Sequence, residues 1–204
     1  MLRQIFTPLA LQYAKDDDTV TGLWIEIEQQ HSQKGRYYHT LAHLENICRD
    51  LQQFQHAITN PDAVFFALFY HDIVYKVLNK DNEEKSALLA VKRLTNINVP
   101  ASTIEACRKH ILATKAHTAA DSNDTNMFTD ADLAILGYDK PAYETYMQQV
   151  RKEYKIYPDI VYIPGRKKVL KHFLQMERIF KTELFFQQYE QQARSNMEYE
   201  LSIL

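Results

Sequence analysis

The stretch "RYYHTLAHLENI", residues 36–47, sets His39 and His43 four positions apart, one turn of a helix. A His71–Asp72 pair interrupts the oiliest run of the chain, "FFALFYHDIVY", and "FTDADLAILG" adds Asp130 and Asp132 ahead of another apolar run. An unpaired imidazole or carboxylate in such surroundings is costly, so something must compensate these groups. A divalent cation would do so. Imidazole nitrogen with carboxylate oxygen suits Mn, Fe, Co, Ni or Zn, and Mg where water fills more positions. Adjacent His and Asp cannot both point one way from mid-helix, but at a helix end they can converge on an ion in a cleft between helices. The order HxxxH, then His-Asp, then aspartate therefore predicts a metal site from His43, His71, Asp72 and one aspartate of the third segment.

Other chemistries find less support. No nucleophilic serine sits in an elbow motif, and no glycine-rich loop is placed to cradle phosphate. Metal-activated water is the economical nucleophile. Phosphate recognition needs cationic groups, and Arg36, Lys115 and Arg151 are candidates near the motifs. Tyr38, Tyr70 and Tyr75 flank the motifs and are candidates for stacking on a base, whereas Phe65, Phe66 and Phe69 read as core. Glu83 in "DNEEKSA" either orients water or simply gives a helix start the negative charge its dipole favours. His110 and His117 lie seven apart, on one face of a continuous helix. His31, His56 and His172 have no such context and read as solvent-facing.

The elements that must position these residues are helices. Apolar residues recur at three- and four-residue spacing, strand-like alternation is scarce, and there are only four glycines. The spacing predicts helices over 19–33, 40–58, 61–76, 82–97, 100–117, 129–136, 140–156, 166–181 and 182–202. Pro61 and Pro100 suit helix starts, Asp130 a helix cap, and Gly137 a C-terminal cap. "YPDIVYIPG", residues 157–165, reads as a loop or short extended arm because of its two prolines. The last segment is amphipathic and suited to pack on the body or on a second copy, as a homodimer. One all-α domain over 1–204 is expected, with a metal-binding core at about 36–137 and a helical extension at about 138–204.

Composition narrows the function classes. Lys and Arg total 24 against 26 Asp and Glu, a formal charge of -2, so no stable nucleic-acid complex is expected. Cys48 and Cys107 have no CxxC partner, give no disulfide framework and read as small buried apolar residues. The N-terminal stretch lacks the long apolar region of an export signal, and no apolar run nears the roughly 20 residues that span a bilayer. A cytoplasmic protein is expected.

Together, "RYYHTLAHL", "FYHDIVY", "DNEEKSA", "ILATKAH", "DADLAILG" and "VRKEY" with the following "YPD" and "GR" resemble the HD superfamily of metal-dependent phosphohydrolases. More narrowly, they resemble a family of predicted HD phosphohydrolases of about this length. The resemblance runs from about residue 20 onward and implies a compact helical HD-domain bundle with added C-terminal helices. It implies His43, His71, Asp72 and Asp132 as ligands of one divalent ion or two, with His39 as the alternative first ligand. "YHTLAH" is similar to the YHNxxH motif of cyclic-nucleotide phosphodiesterases, which implies that His39 protonates a leaving oxygen, although Thr40 stands where that motif has Asn. It also suggests His110 and His117 as holders of a second ion, and it singles out Arg166 for phosphate.

The expected function is hydrolysis of a phosphoester or phosphoanhydride of a small, nucleotide-like molecule. His39 or His117 would move protons, since free imidazole titrates near pH 6.5. Two alternatives share the same residues: a ligand-sensing or scaffold protein with little turnover, and a di-iron oxygenase of the HD type.

Overall fold

A computed structural model describes residues 1–204 and contains no strand. Ten helices follow in order: α1 (Leu2–Leu11), α2 (Asp17–His31), α3 (Leu41–Gln53), α4 (Pro61–Tyr70), α5 (Asn82–Asn96), α6 (Ala101–Ala113), α7 (Asn123–Leu133), α8 (Lys140–Glu153), α9 (Asp159–Gln175) and α10 (Glu183–Ile203). Short 3₁₀ turns occupy Gln55–Ala57 and Ala134–Gly137. No helix is long and apolar enough to cross a membrane.

The centre of the molecule is α4. Asn60 caps it by accepting the Ala63 N–H (3.1 Å), and Pro61 takes the first turn, where a missing N–H costs nothing. Every side chain from Ala63 to Tyr70 is buried, as expected of a helix that is apolar all round. Phe6 of α1 meets Phe69 edge-on, with ring centroids 5.0 Å apart. The helix ends at Tyr70, earlier than the predicted 76, so His71 and Asp72 lie just past its last turn. Arg36 holds that end: its guanidinium donates to the carbonyls of Asp72 (2.7 Å) and Ile73 (3.0 Å) and to that of His39 (3.1 Å). One buried side chain thus satisfies carbonyls at the end of α4 and binds the segment before α3 to it.

Several expectations need correction. Helix α1 has no counterpart among the predicted helices, and α9 starts at Asp159, inside the segment 157–165 that reads as a loop or extended arm, and ends at Gln175, short of the predicted 181. Both helices carry an internal proline, Pro8 and Pro164. A proline removes the bond to the carbonyl four residues back, and those residues, Gln4 and Ile160, are exposed, so water can serve the freed oxygens. Helix α7 begins six residues earlier than residue 129, because Ser122 caps it and its buried side chains include polar Asp124, Thr125, Thr129 and Asp130. Gly137 is not a left-handed cap; a Cβ there would lie 2.6 Å from the Tyr189 backbone oxygen, so it is needed for the close approach of α10. Asp130 caps no start of its own helix. Its carboxylate accepts N–H bonds from Lys181 (3.0 Å) and Thr182 (2.8 Å), where the chain enters α10.

Helix α10 packs on the body through buried Phe185, Tyr189, Ala193 and Met197. Its polar side chains serve neighbouring elements. Glu190 accepts the Ile179 and Phe180 N–H groups, Asn196 donates to the carbonyls of Leu136 and Tyr138, and Glu200 holds Arg166 of α9 and Tyr143 of α8.

Candidate metal centre

Three helices bring the predicted ligands together. His43 comes from the first turn of α3, His71 from the residue after α4, and Asp132 from the last turn of α7. Their ligand atoms all lie within 4.8 Å of one another. His43 Nε2 is 3.3 Å from His71 Nε2 and 3.1 Å from Asp132 Oδ1, which is 3.7 Å from His71 Nε2. Asp72, the fourth predicted ligand, is not one of this group but stands beside its histidines, with Oδ2 3.2 Å from His71 Nε2 and 3.7 Å from His43 Nε2. The imidazoles are buried, while the side chains of Asp72 and Asp132 keep 17% and 14% exposure, which leaves the cluster reachable from solvent.

The donor set fits a divalent first-row ion. His71 Nδ1–H donates to the Leu68 carbonyl (3.0 Å), which turns Nε2 toward the other ligands; such an outer bond is how proteins commonly orient a ligating histidine. Electrostatics lead to the same reading. Burial alone would lower the His71 pKa, but Asp72 and Asp132 outweigh it and raise the imidazole to about 9. Burial would raise Asp132, yet the bond from His43 and the charge of His71 hold it at about 2. Asp72, half-buried, is held well below the carboxylate range by His71 and His39. Two ionised carboxylates therefore share this space with an imidazolium, whose proton a divalent cation would displace.

His39 stands beside the cluster, its Nε2 3.9 Å from Asp72 Oδ2. Its other nitrogen donates to Glu153 Oε2 at 2.7 Å, and the Tyr75 ring stacks on the imidazole at 4.1 Å. Glu153, at the end of α8, drew no attention in sequence. It accepts N–H bonds from Tyr37, Tyr38 and His39 (2.7, 2.8 and 3.0 Å) and the hydroxyl of Tyr75 (2.9 Å) as well. Only its neighbourhood to Arg151 marked that segment, and nothing local distinguishes a carboxylate that reaches more than a hundred residues back.

The remaining candidates divide. His117 reaches the site: Nε2 lies 3.7 Å from Asp132 Oδ2, and Nδ1 is buried without a partner. It does so from a left-handed backbone (φ 50°) beyond the end of α6, so it shares no helix face with His110. His110 is buried elsewhere, its Nδ1 2.9 Å from the Thr125 hydroxyl. Lys115 lies at the mouth, bonded to the Lys80 carbonyl and the Glu84 carboxylate. Glu83 is half-buried in the first turn of α5, and its neighbour Glu84 is the one engaged. Arg36 is committed to carbonyls as described, and Arg151 clamps Asp159 (2.6 Å), fastening α8 to α9. Arg166 lines the cleft but is held by both oxygens of Glu200 (2.7 and 2.8 Å). Tyr70 is fully buried in the core, and His31, expected at the surface, is buried with its Nδ1 bonded to the Ile27 carbonyl.

A cleft of about 730 Å³ reaches the cluster at Asp132, its wall formed also by His117, His39, Lys115 and Arg166 among others. Small-molecule sites commonly span 300–1,000 Å³. No family model, curated protein or solved structure matches the chain.

Proposed function

We propose that the chain is a metal-dependent phosphohydrolase of the HD type, acting on a small, nucleotide-like phosphate compound. The observation that carries this reading is the convergence of His43, His71 and Asp132, with Asp72 beside them, at an open cleft. His43, His71 and Asp132 would hold a divalent ion, which would supply the Lewis acidity that makes water nucleophilic near neutral pH and polarises a phosphoryl group. The residues around it do the rest. Leu68 fixes the His71 ring through Nδ1, and Glu153 fixes His39 in the same way. His39 then presents Nε2 beside Asp72, placed to deliver a proton to a leaving oxygen. His117, with an unpartnered Nδ1, lines the same cleft.

The test has two readouts. Elemental analysis should find a transition ion bound to the wild type, and phosphate release from a nucleotide panel should depend on Mn, Co, Ni or Mg. His71→Ala and Asp132→Ala should lose both. A site filled a hundredfold above its Kd gains about 2.7 kcal/mol, which in a chain this size raises Tm by about 5–10 °C. Variants that keep the ion, its thermal shift and the phosphate release would overturn the reading.

A further inference from the structure

Beside the metal cleft lies a second cavity of about 390 Å³ with a different character. Its wall is largely tyrosine: Tyr38, Tyr146, Tyr154, Tyr157 and Tyr162, closed on the α9 side by Val169. The two cavities share Tyr38, His39, Tyr146, Tyr154, Arg166 and Val169, so a molecule with one end at the metal cluster can extend into the chamber. The rings are held at varied angles. Tyr38 meets Tyr146 edge-on at 4.7 Å, while Tyr154 lies nearly parallel to Tyr157 at 6.2 Å. Such walls offer faces and edges to a planar ring, with hydroxyls at their rims.

The charges are equally informative. Lys115 and Arg166 are the only lysine or arginine lining either cavity. Glu84 engages the first and Glu200 grips the second through two bonds. The Arg166 pair is buried, and parting it would strand a charge away from water. Beyond what an ion at His43, His71 and Asp132 would cover, only the exposed Lys115 could turn from its surface pair to a phosphate, one cation against the several added charges of a di- or triphosphate.

We infer that the chamber takes an uncharged planar ring and that the substrate is its monophosphate, the chemical class of the nucleoside monophosphates, in preference to di- or triphosphates. This rests on the phosphohydrolase reading for the reaction, but the ring site stands on the chamber alone.

The experiment separates the two. With Mn-loaded protein, kcat/KM for AMP should exceed that for ribose 5-phosphate and for ATP at least tenfold. Val169→Glu puts a charge into the chamber from a side chain that is already 44% exposed, so folding should tolerate it, and Tyr157→Ala removes a ring. Each should reduce the preference for AMP over ribose 5-phosphate at least tenfold, chiefly through KM. Equal use of AMP and ribose 5-phosphate, a preference for ATP, or an unchanged ratio in both variants would overturn the inference. If no phosphate is released from any compound, the reaction reading fails while the chamber remains open to test with adenosine, which carries no phosphate. Ligand-detected NMR should then show adenosine binding to the wild type and at least tenfold weaker binding to Val169→Glu; no binding, or equal binding, would overturn it.

Discussion

Glu153 concentrates more of the site's order than any of the candidate ligands His43, His71 and Asp132. Its carboxylate accepts three consecutive N–H groups, the His39 ring and the Tyr75 hydroxyl, so a single side chain sets the approach to α3 and the tautomer of the histidine beside the cluster. Burial would raise its pKa, but the bond from His39 and the backbone donors hold it at about 2, so it is ionised wherever the protein is folded at ordinary pH. Bonds to a charged group contribute roughly 1.5–3 kcal/mol. Glu153→Gln should therefore lower stability by about that amount in urea denaturation while the ion still binds, and phosphate release should fall more than metal occupancy does. Equal stability would show that the amide reproduces the carboxylate's role. The ligands themselves were legible because imidazole and carboxylate are conspicuous in apolar runs. Glu153 was not, since its partners are remote in sequence and its own neighbours are ordinary helix surface.

Among the elements, two different packing solutions make predictions of opposite sign. Gly137 lies against α10 with no room for a methyl group, the nearest atoms being backbone and Cβ of Tyr189. Gly137→Ala should cost about 1–3 kcal/mol, the usual range for overpacking, measured as a drop in the urea midpoint. A change within error would mean that α10 can shift without loss. Pro8, by contrast, sits inside α1 on its exposed side. Pro8→Ala restores a helix bond and relaxes the unfolded chain, two effects that oppose each other. The restored bond is the larger effect, so the midpoint should rise, and a fall would show that the freed unfolded chain or lost packing of the ring outweighs it. The same contrast explains which helices were readable. Amphipathic spacing revealed α2 through α6, α8 and α10 to within a few residues, except that α3, α4 and α6 end earlier than it predicts. It failed at α1 and at the start of α9, where a solvent-side proline is tolerated, and at the start of α7, whose buried face includes threonine and aspartate in place of apolar residues.

At the level of the whole molecule, the balance of buried histidines shapes the response to acid. Burial holds His31 at about 3 and His110 at about 4, below the ordinary 6.5. A histidine whose folded pKa lies below its unfolded value takes up its proton on unfolding. Its penalty is absent above pH 6.5 and grows as the pH falls from there toward the folded value. Stability should therefore decline between pH 6.5 and 4, and His110→Gln should flatten that decline relative to the wild type in denaturation series at fixed temperature. Parallel curves for the two proteins would count against a neutral buried His110. His71 acts in the other direction, since its raised value makes its contribution full below 6.5 and lost as pH rises through about 9. The single all-helical body was apparent from periodicity, but how its last helix would be used was not.

That last helix has a consequence for synthesis. Glu190, Asn196 and Glu200 hold segments that precede α10, and Asp130, two positions before a metal ligand, waits for Lys181 and Thr182. A nascent polypeptide emerging from the ribosome would carry all four imidazole and carboxylate donors well before the brace that fixes them has been translated. An ion taken up at this cluster would then meet a fixed site only after the helical frame is complete.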